Sequence, residues 1–256
     1  MKTEMRKYEF TEEVKTICDG TVLHRIRALI DIDLGWRVVK AGELGGWLEY
    51  ERNLSHYGNC WVYGNAKVYG DAEVHGNAEV CGNSDVYGNA EVYGNAEVYG
   101  YADVYGNAEV CGNAVVCGNA EVCGNAVVCG NAEVFSGAVV RGNANVCGDA
   151  HVFKKDHVLV IGPIGSRSDF TTFMRNKSGE ILVKCGYFFG TADEFLTKVQ
   201  NTHGDSKYTV VYRAAVALAV EQIDTTPETE DDISATNHIA DDACGSWIMN
   251  RFTKTE

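Results

Sequence analysis

Valine recurs every sixth residue from Val62 to Val152 without a miss, sixteen times in all. Four residues after each valine comes a small side chain: Ala66, Ala72, Ala78, Ser84, Ala90 and onward to Ala150. Most units place Gly-Asn or Gly-Asp between the two, so the unit reads Ala-Glu-Val-Tyr-Gly-Asn. A helix of period 3.6 cannot keep one face through an exact period of six, which excludes an α-solenoid. As a strand, Ala and Val point one way and Glu and Tyr the other. Gly and Asn then turn the corner, because both accept positive φ. Three such sides close a triangle of 18 residues whose equivalent positions stack about 4.8 Å apart. The spacing therefore predicts a β-helix over residues 57–158, with Val98 and Val116 one coil apart and Val158 continuing the series.

The unit resembles that of hexapeptide-repeat proteins, which fold as a left-handed parallel β-helix, and the hand is implied by that resemblance alone. In that family the position after the aliphatic residue is usually Gly, Ala, Glu or Asp. Here it is Tyr, Cys or Phe, giving a stickier outer surface. Outward positions also change along the chain. Glu73, Glu79, Glu91 and Glu97 come first, whereas Val115, Val127 and Val139 come later, beside Cys117, Cys129 and Phe135. Exposed apolar strips of this kind mark interfaces. Val115, Cys117, Val127, Cys129, Phe135 and Val139 are thus the expected contacts of a homo-oligomer, a dimer or a trimer.

Residues 1–56 read as short strands capping the open edge of the first coil, since such an edge otherwise presents unpaired backbone. Val22 to Leu29 suggests one strand, Gly45-Gly46-Trp47-Leu48 leads into the coils, and Trp47 and Trp61 are expected to plug the core. Residues 159–223 read as a small α+β domain. His157–Ile161, Phe170–Phe173 and Ile181–Lys184 are its strands, and Thr191-Ala192-Asp193-Glu194 opens a helix with a capping box. A second helix is expected from Tyr208 to Ile223. Residues 224–242 carry seven acids and no Lys or Arg, and 224–256 read as a solvated linker and a tail whose Trp247, Ile248, Met249 and Phe252 dock elsewhere. The fold class is mainly β: a parallel β-helix with an N-terminal β cap and a C-terminal α+β domain.

Two flanking segments carry a narrower resemblance. Leu23-His24-Arg25-Ile26-Arg27-Ala28 with Lys40-Ala41-Gly42-Glu43-Leu44-Gly45-Gly46-Trp47 resembles the entry of phage and prophage hexapeptide-repeat proteins. Cys185 to Phe195, followed by Thr202-His203-Gly204-Asp205, resembles a domain found at the end of such proteins. That resemblance implies a context, the cytoplasm of an infected or lysogenic bacterial host, and no reaction. The absence of a long apolar run and of an apolar leader agrees with a cytoplasmic protein free of the membrane.

Charge narrows the partners. Residues 1–56 carry 9 basic and 10 acidic side chains, 57–153 carry 2 and 11, and 154–256 carry 11 and 15, which sums to the net −14. No basic face for nucleic acid is foreseen. The belt's nine net charges over about five coils give one per ~2.8 Å, sparser than the ~1.7 Å of duplex DNA, so DNA mimicry is not favoured. Seven of ten cysteines fall inside the repeat and none has CxxC spacing, so they are expected to be apolar filler in a reducing compartment, with no metal and no cofactor.

Acyl transfer is the obvious enzyme class for a hexapeptide β-helix. Its enzymes use a loop extruded from the coils, a histidine base and cations for the donor phosphates. Here no loop interrupts the hexads, His75 stands alone, and only Lys67 and Arg141 are basic in the repeat. A γ-carbonic-anhydrase-like zinc site finds no converging set among His56, His75, His151 and His157. No catalytic residue is therefore assigned. The reading is a non-enzymatic binding protein, a counter-defence factor that sequesters a host protein or a small anionic nucleotide, with a structural or virion-associated scaffold as the rival. The expected ligand site is the turn Gly165-Ser166-Arg167 after the first C-terminal strand, with Thr171 and Thr172 on the next: turn amides cradle a phosphate and a guanidinium pairs with it.

Overall fold

The computed structural model describes residues 6–226. The expected docking of Trp247 to Phe252, and nearly all of the acidic linker, lie outside these residues. Sixteen two-residue strands, one every six residues and each ending on the valine of its hexad, run from β6 (Trp61–Val62), β7 (Lys67–Val68) and β8 (Glu73–Val74) to β21 (His151–Val152) and wind as a parallel β-solenoid of about six turns. Every third strand pairs, so three sheets run along the axis: β7-β10-β13-β16-β19, β8-β11-β14-β17-β20 and β6-β9-β12-β15-β18-β21. Val98 pairs with Val116, as the 18-residue coil requires. Each described valine and alanine of the interior is essentially solvent-free, and together they form one core.

The corners explain why the repeat tolerates so little change. At Gly94 φ is +76°, and a Cβ there would lie 2.9 Å from the backbone nitrogen of Gly112 in the next coil. The Asn95 backbone N–H donates to the Gly112 carbonyl at 2.7 Å, and the Asn95 side-chain amide donates to Asn113 Oδ1 at 3.0 Å. Asparagine thus supplies a second ladder outside the backbone one.

The N-terminal cap is antiparallel. β1 (Tyr8–Thr16) pairs with β2 (Val22–Ala28), and β2 with β5 (Leu44–Leu48), while β5 joins β7 in parallel. A small hairpin, β3 (Ile32–Asp33) and β4 (Val38–Val39), projects from it. Leu48 pairs with Val68, and Leu54 bridges to Val74, so a coil built from leucines precedes the valines. The Asn53 amide donates to the carbonyls of Gly70 (3.1 Å) and Ala72 (2.8 Å), closing groups that the first edge leaves open. Trp61 is fully buried in the same core as the valines, as expected, and Trp47 is buried beside the cap. Trp61 holds the outward place that Glu79 holds one coil on, and Trp47 the place of Lys67. The cap covers both, with the Tyr8 ring 6.4 Å from that of Trp61 and Lys15 and Arg25 over Trp47.

At the other end the solenoid stops at Val152, six residues short of the expected boundary. Val158 does not begin another side; it starts β22 (Val158–Ile164) and pairs antiparallel with Met174. The last hexad has Asp156 where a small apolar residue belongs and lacks the Gly-Asn corner, so the chain makes a short 3-10 turn instead. β22, β23 (Asp169–Arg175), β24 (Ile181–Cys185) and β25 (Phe188–Thr191) form an antiparallel sheet. Two helices, α1 (Ala192–His203) and α2 (Lys207–Gln222), cover one face of it. Thr191 and Glu194 make the expected capping box. No helix among the described residues is long and apolar enough to cross a membrane.

Candidate anion-binding cleft and the outer surface of the coils

The expected interface residues do not form one surface. Val115, Val127 and Val139 are twelve residues apart, whereas the coil is eighteen, so they fall on three different sheets. Val115 lies between Glu97 and Glu133, Val127 between Glu109 and Asn145, and Val139 beyond Glu121. Like charges stacked on neighbouring strands repel. Val115 thus interrupts a column of carboxylates, whereas Val127 and Val139 end the acidic runs of theirs. Cys117 and Phe135 share a different column, Tyr63-Cys81-Tyr99-Cys117-Phe135-Phe153, and with Val115 they are already buried in the single chain. Cys129 belongs to a third column.

Around the sequence-predicted turn the structure builds a cleft of about 250 Å³ between β22, β24, α1 and α2. Arg167, Lys198 and His203 supply its basic groups and Asp169 its one carboxylate, while Tyr187, Phe188, Phe195 and Tyr212 give the aromatic walls. Arg167 lies over the turn after β24. Its guanidinium stands 5.4 Å from the Tyr187 ring, and a Cβ on Gly186 would meet Arg167 Nη1 at 3.0 Å. Lys198 and His203 both come from α1, Lys198 from its middle and His203 from its last turn. The His203 ring packs 6.1 Å from that of Tyr212.

The turn itself plays a different part from the one expected. Gly165 has φ +74°, and a Cβ there would run into the Tyr212 hydroxyl, so this glycine exists to let that hydroxyl approach. The Tyr212 hydroxyl thus fills the space over this turn, and the side chains of Arg167, Lys198 and His203 are the basic groups that face the cleft. Tyr212 is held neutral, its pKa pushed up to about 12 by burial and the neighbouring Cys185. Thr171 does not line the cleft: it is buried, with Oγ1 donating to the Sγ of Cys185, which does, at 3.2 Å. Thr172 faces away from it and accepts from the Asn145 backbone N–H at 2.9 Å, tying the domain to the solenoid. Sequence reasoning found Arg167 but missed Lys198, His203, Tyr187 and Tyr212. They are scattered over separate elements, and no short motif joins them.

Elsewhere on the coils, His75 stacks on Tyr93 with ring centroids 5.0 Å apart. Glu79 is buried beneath the β3–β4 hairpin, its oxygens each 3.1 Å from Trp36 Nε1 and one also 3.1 Å from the Tyr63 hydroxyl. Burial raises its pKa to about 7. Among the described residues no group of three or more His, Cys, Asp or Glu is placed to hold a metal ion.

The fold and this cleft define the chain as a parallel β-solenoid carrying a small antiparallel-sheet domain closed by two helices. No protein-family model matches the chain, and no curated protein is detectably similar to it.

Proposed function

We propose that this is a binding protein whose C-terminal cleft takes a small anionic ligand bearing an aromatic group, a mononucleotide being the simplest such molecule. The observation that carries the reading is the convergence of Arg167, Lys198 and His203 on a cleft walled by Tyr187, Phe188 and Phe195, in a chain of net charge −14. Guanidinium and ammonium groups pair with phosphate, and the aromatic rings offer stacking faces. The volume lies just under the ~300 Å³ at which small-molecule sites begin, which suits one nucleotide better than a polymer. Sequestering a nucleotide signal of the host is the form of this function that the resemblance to phage proteins suggests. Calorimetry against a panel of linear and cyclic nucleotides tests it. Arg167→Ala and Lys198→Ala are expected to weaken binding by about tenfold or more each, as loss of a charge-assisted contact of about 1.5–3 kcal/mol implies. Both side chains are exposed, so the melting temperature should hardly move. Absence of heat with every nucleotide sinks the proposal.

Self-association is favoured by a separate observation. α2 turns Tyr212, Ala215, Val216 and Ala219 inward and leaves Val210, Leu218 and Val220 on its far side, each more than half exposed. We propose this face, in place of the outward valines of the coils, as the contact between two copies. Sedimentation should show a dimer that Val210→Lys with Leu218→Lys reduces to a monomer. A monomeric wild type at micromolar concentration removes the proposal.

A further inference from the structure

The solenoid has three rows of corner residues, and one row is covered. Cys81, Tyr99, Cys117, Phe135 and Phe153 hold outward places at that corner yet are between 2 and 5% exposed, and Gly82, Gly100 and Gly118 beside them are buried too. At the other two corners Tyr69, Tyr87 and Tyr105, and His75, Tyr93 and Cys111, are partly exposed, as are Gly88, Gly94 and Gly106. The hexads are nearly alike, so the coils alone would give the three corners similar cover. Among the described residues, the apolar side chains clustered with the covered row all come from the coils. The β3–β4 hairpin meets this corner at Tyr63, through Trp36, and the C-terminal domain meets it at Phe153, through Arg175. Tyr99, Cys117 and Phe135 lie between those two levels.

The described chain ends at the foot of this row. Arg175 stands over the Phe153 ring at 5.1 Å, and its Nη1 donates to the Thr226 carbonyl at 2.9 Å. Lys154, next to Phe153, pairs with Asp224 at 3.1 Å. At the head of the row Cys81 departs from the expected apolar filler, for it is disulfide-bonded. Every other cysteine among the described residues is free, and the sequence holds one more, Cys244. Phe153 and Cys81 are four coils apart, about 19 Å at ~4.8 Å per coil. The eighteen residues from Thr226 to Cys244 bridge that distance even at the ~1.5 Å per residue of a helix. Trp247, Ile248, Met249 and Phe252 follow within eight residues of Cys244, and Arg251 and Lys254 are the only Lys or Arg after Thr226.

We propose that residues 227–256 strap this corner of the solenoid. The chain leaves the Arg175 clamp at the foot of the row, Cys244 is the disulfide partner of Cys81 at its head, and Trp247, Ile248, Met249 and Phe252 cover Tyr99, Cys117 and Phe135. The driving force is the removal of two apolar surfaces from water, the outward row and the cluster that follows Cys244. Charge agrees, since Arg251 and Lys254 come to a face where Glu97 and Glu133 flank Val115. When the bond forms, each thiol gives up one hydrogen to a small disulfide oxidant, which leaves as two thiols.

The test uses the full chain, reduced and then oxidised with glutathione disulfide, alkylated in denaturant and cleaved after acidic residues. Glu79 and Asp85 bracket Cys81, so its peptide separates from the other thiols of the coils. The expected product is the Cys81 peptide joined to that of Cys244. Cys81 left free, or joined to another cysteine, overturns the proposal, and this measurement needs no variant. Cover is read separately, from the rate at which iodoacetamide labels Cys117 in the native chain, with the partly exposed Cys111 of another corner as control. Trp247→Asp with Phe252→Asp is expected to speed labelling of Cys117 about tenfold or more, as loss of a local cover implies, and to leave Cys111 unchanged. An unchanged Cys117 rate overturns the strap. A wild-type rate that slows as protein concentration rises overturns it too, and assigns the cover to a second copy.

Discussion

In the solenoid every coil follows the pattern of the one before it, so nearly every interior place is valine or alanine, and each outer place stacks on its counterpart one coil away. The C-terminal domain from Val158 onward has no repeat. Its core mixes Phe173, Val183, Phe195, Val199, Tyr212 and Val216, each met once. Repetition makes the solenoid rigid and long, but it also lines up like charges. Glu73, Glu91 and Glu109 stand in one column, and Glu79 and Glu97 in another. The irregular domain can place unlike groups side by side, and there Arg167, Lys198 and His203 converge. A coil is good at presenting identical groups in rows; a cleft needs groups from different elements.

The comparison is broken most severely from inside a coil. Val104 is fully buried between Val86 and Val122. Val104→Asp should cost several kcal/mol by burying an unpaired carboxylate, enough to unfold the central coils. A variant with an unchanged urea midpoint would mean that the interior register is wrong.

The next effect concerns the seam between the two regions. His157 is fully buried there, its Nδ1 accepting from the Phe153 backbone N–H at 3.3 Å and its ring edge-on to Phe153 at 4.2 Å. Burial first, and then the charge of Arg175, pushes its pKa down to about 4. The unfolded chain takes up a proton near pH ~6.5 and the folded chain refuses it until about pH 4. Stability should therefore be lost as pH falls through this window, by up to ~3 kcal/mol. Glu79, at the far end, works in the opposite sense. Its raised pKa costs stability as pH rises from its unfolded value of ~4.5 towards 7. Denaturation midpoints between pH 7.5 and 4 should show a steeper acid limb in Glu79→Gln and a flatter one in His157→Asn. If His157→Asn leaves the acid limb unchanged, the seam histidine is not the group that titrates.

The smallest effect sharpens the reading of the outward valines. Val127→Glu would extend the Glu73–Glu91–Glu109 column to four carboxylates. A loss of about 0.5–1 kcal/mol at low salt is expected, largely recovered at ~1 M salt, where charges are screened beyond about 3 Å. Salt-independent destabilisation would instead assign Val127 a packing role.

The hexad determined the solenoid outright. A period of six with inward Val and Ala admits one coil of eighteen residues, and the register follows from counting. The helices of the C-terminal domain were equally legible, because Thr191 and Glu194 form a capping box and apolar residues follow at helical spacing. Counting by twelve misled for Val115, Val127 and Val139, since only positions eighteen apart are neighbours. The solenoid's end was misjudged because valine alone was counted, although Asp156 sits where the core requires a small apolar side chain. Trp61 was expected to be buried, yet only the folded cap showed that it is covered from outside. Local sequence fixes backbone conformation and the repeat, because those depend on nearest neighbours and one period. The cleft depends on where β22, β24, α1 and α2 come to rest against one another. Arg167, Lys198 and His203 meet only through that packing, and no spacing in the chain encodes it.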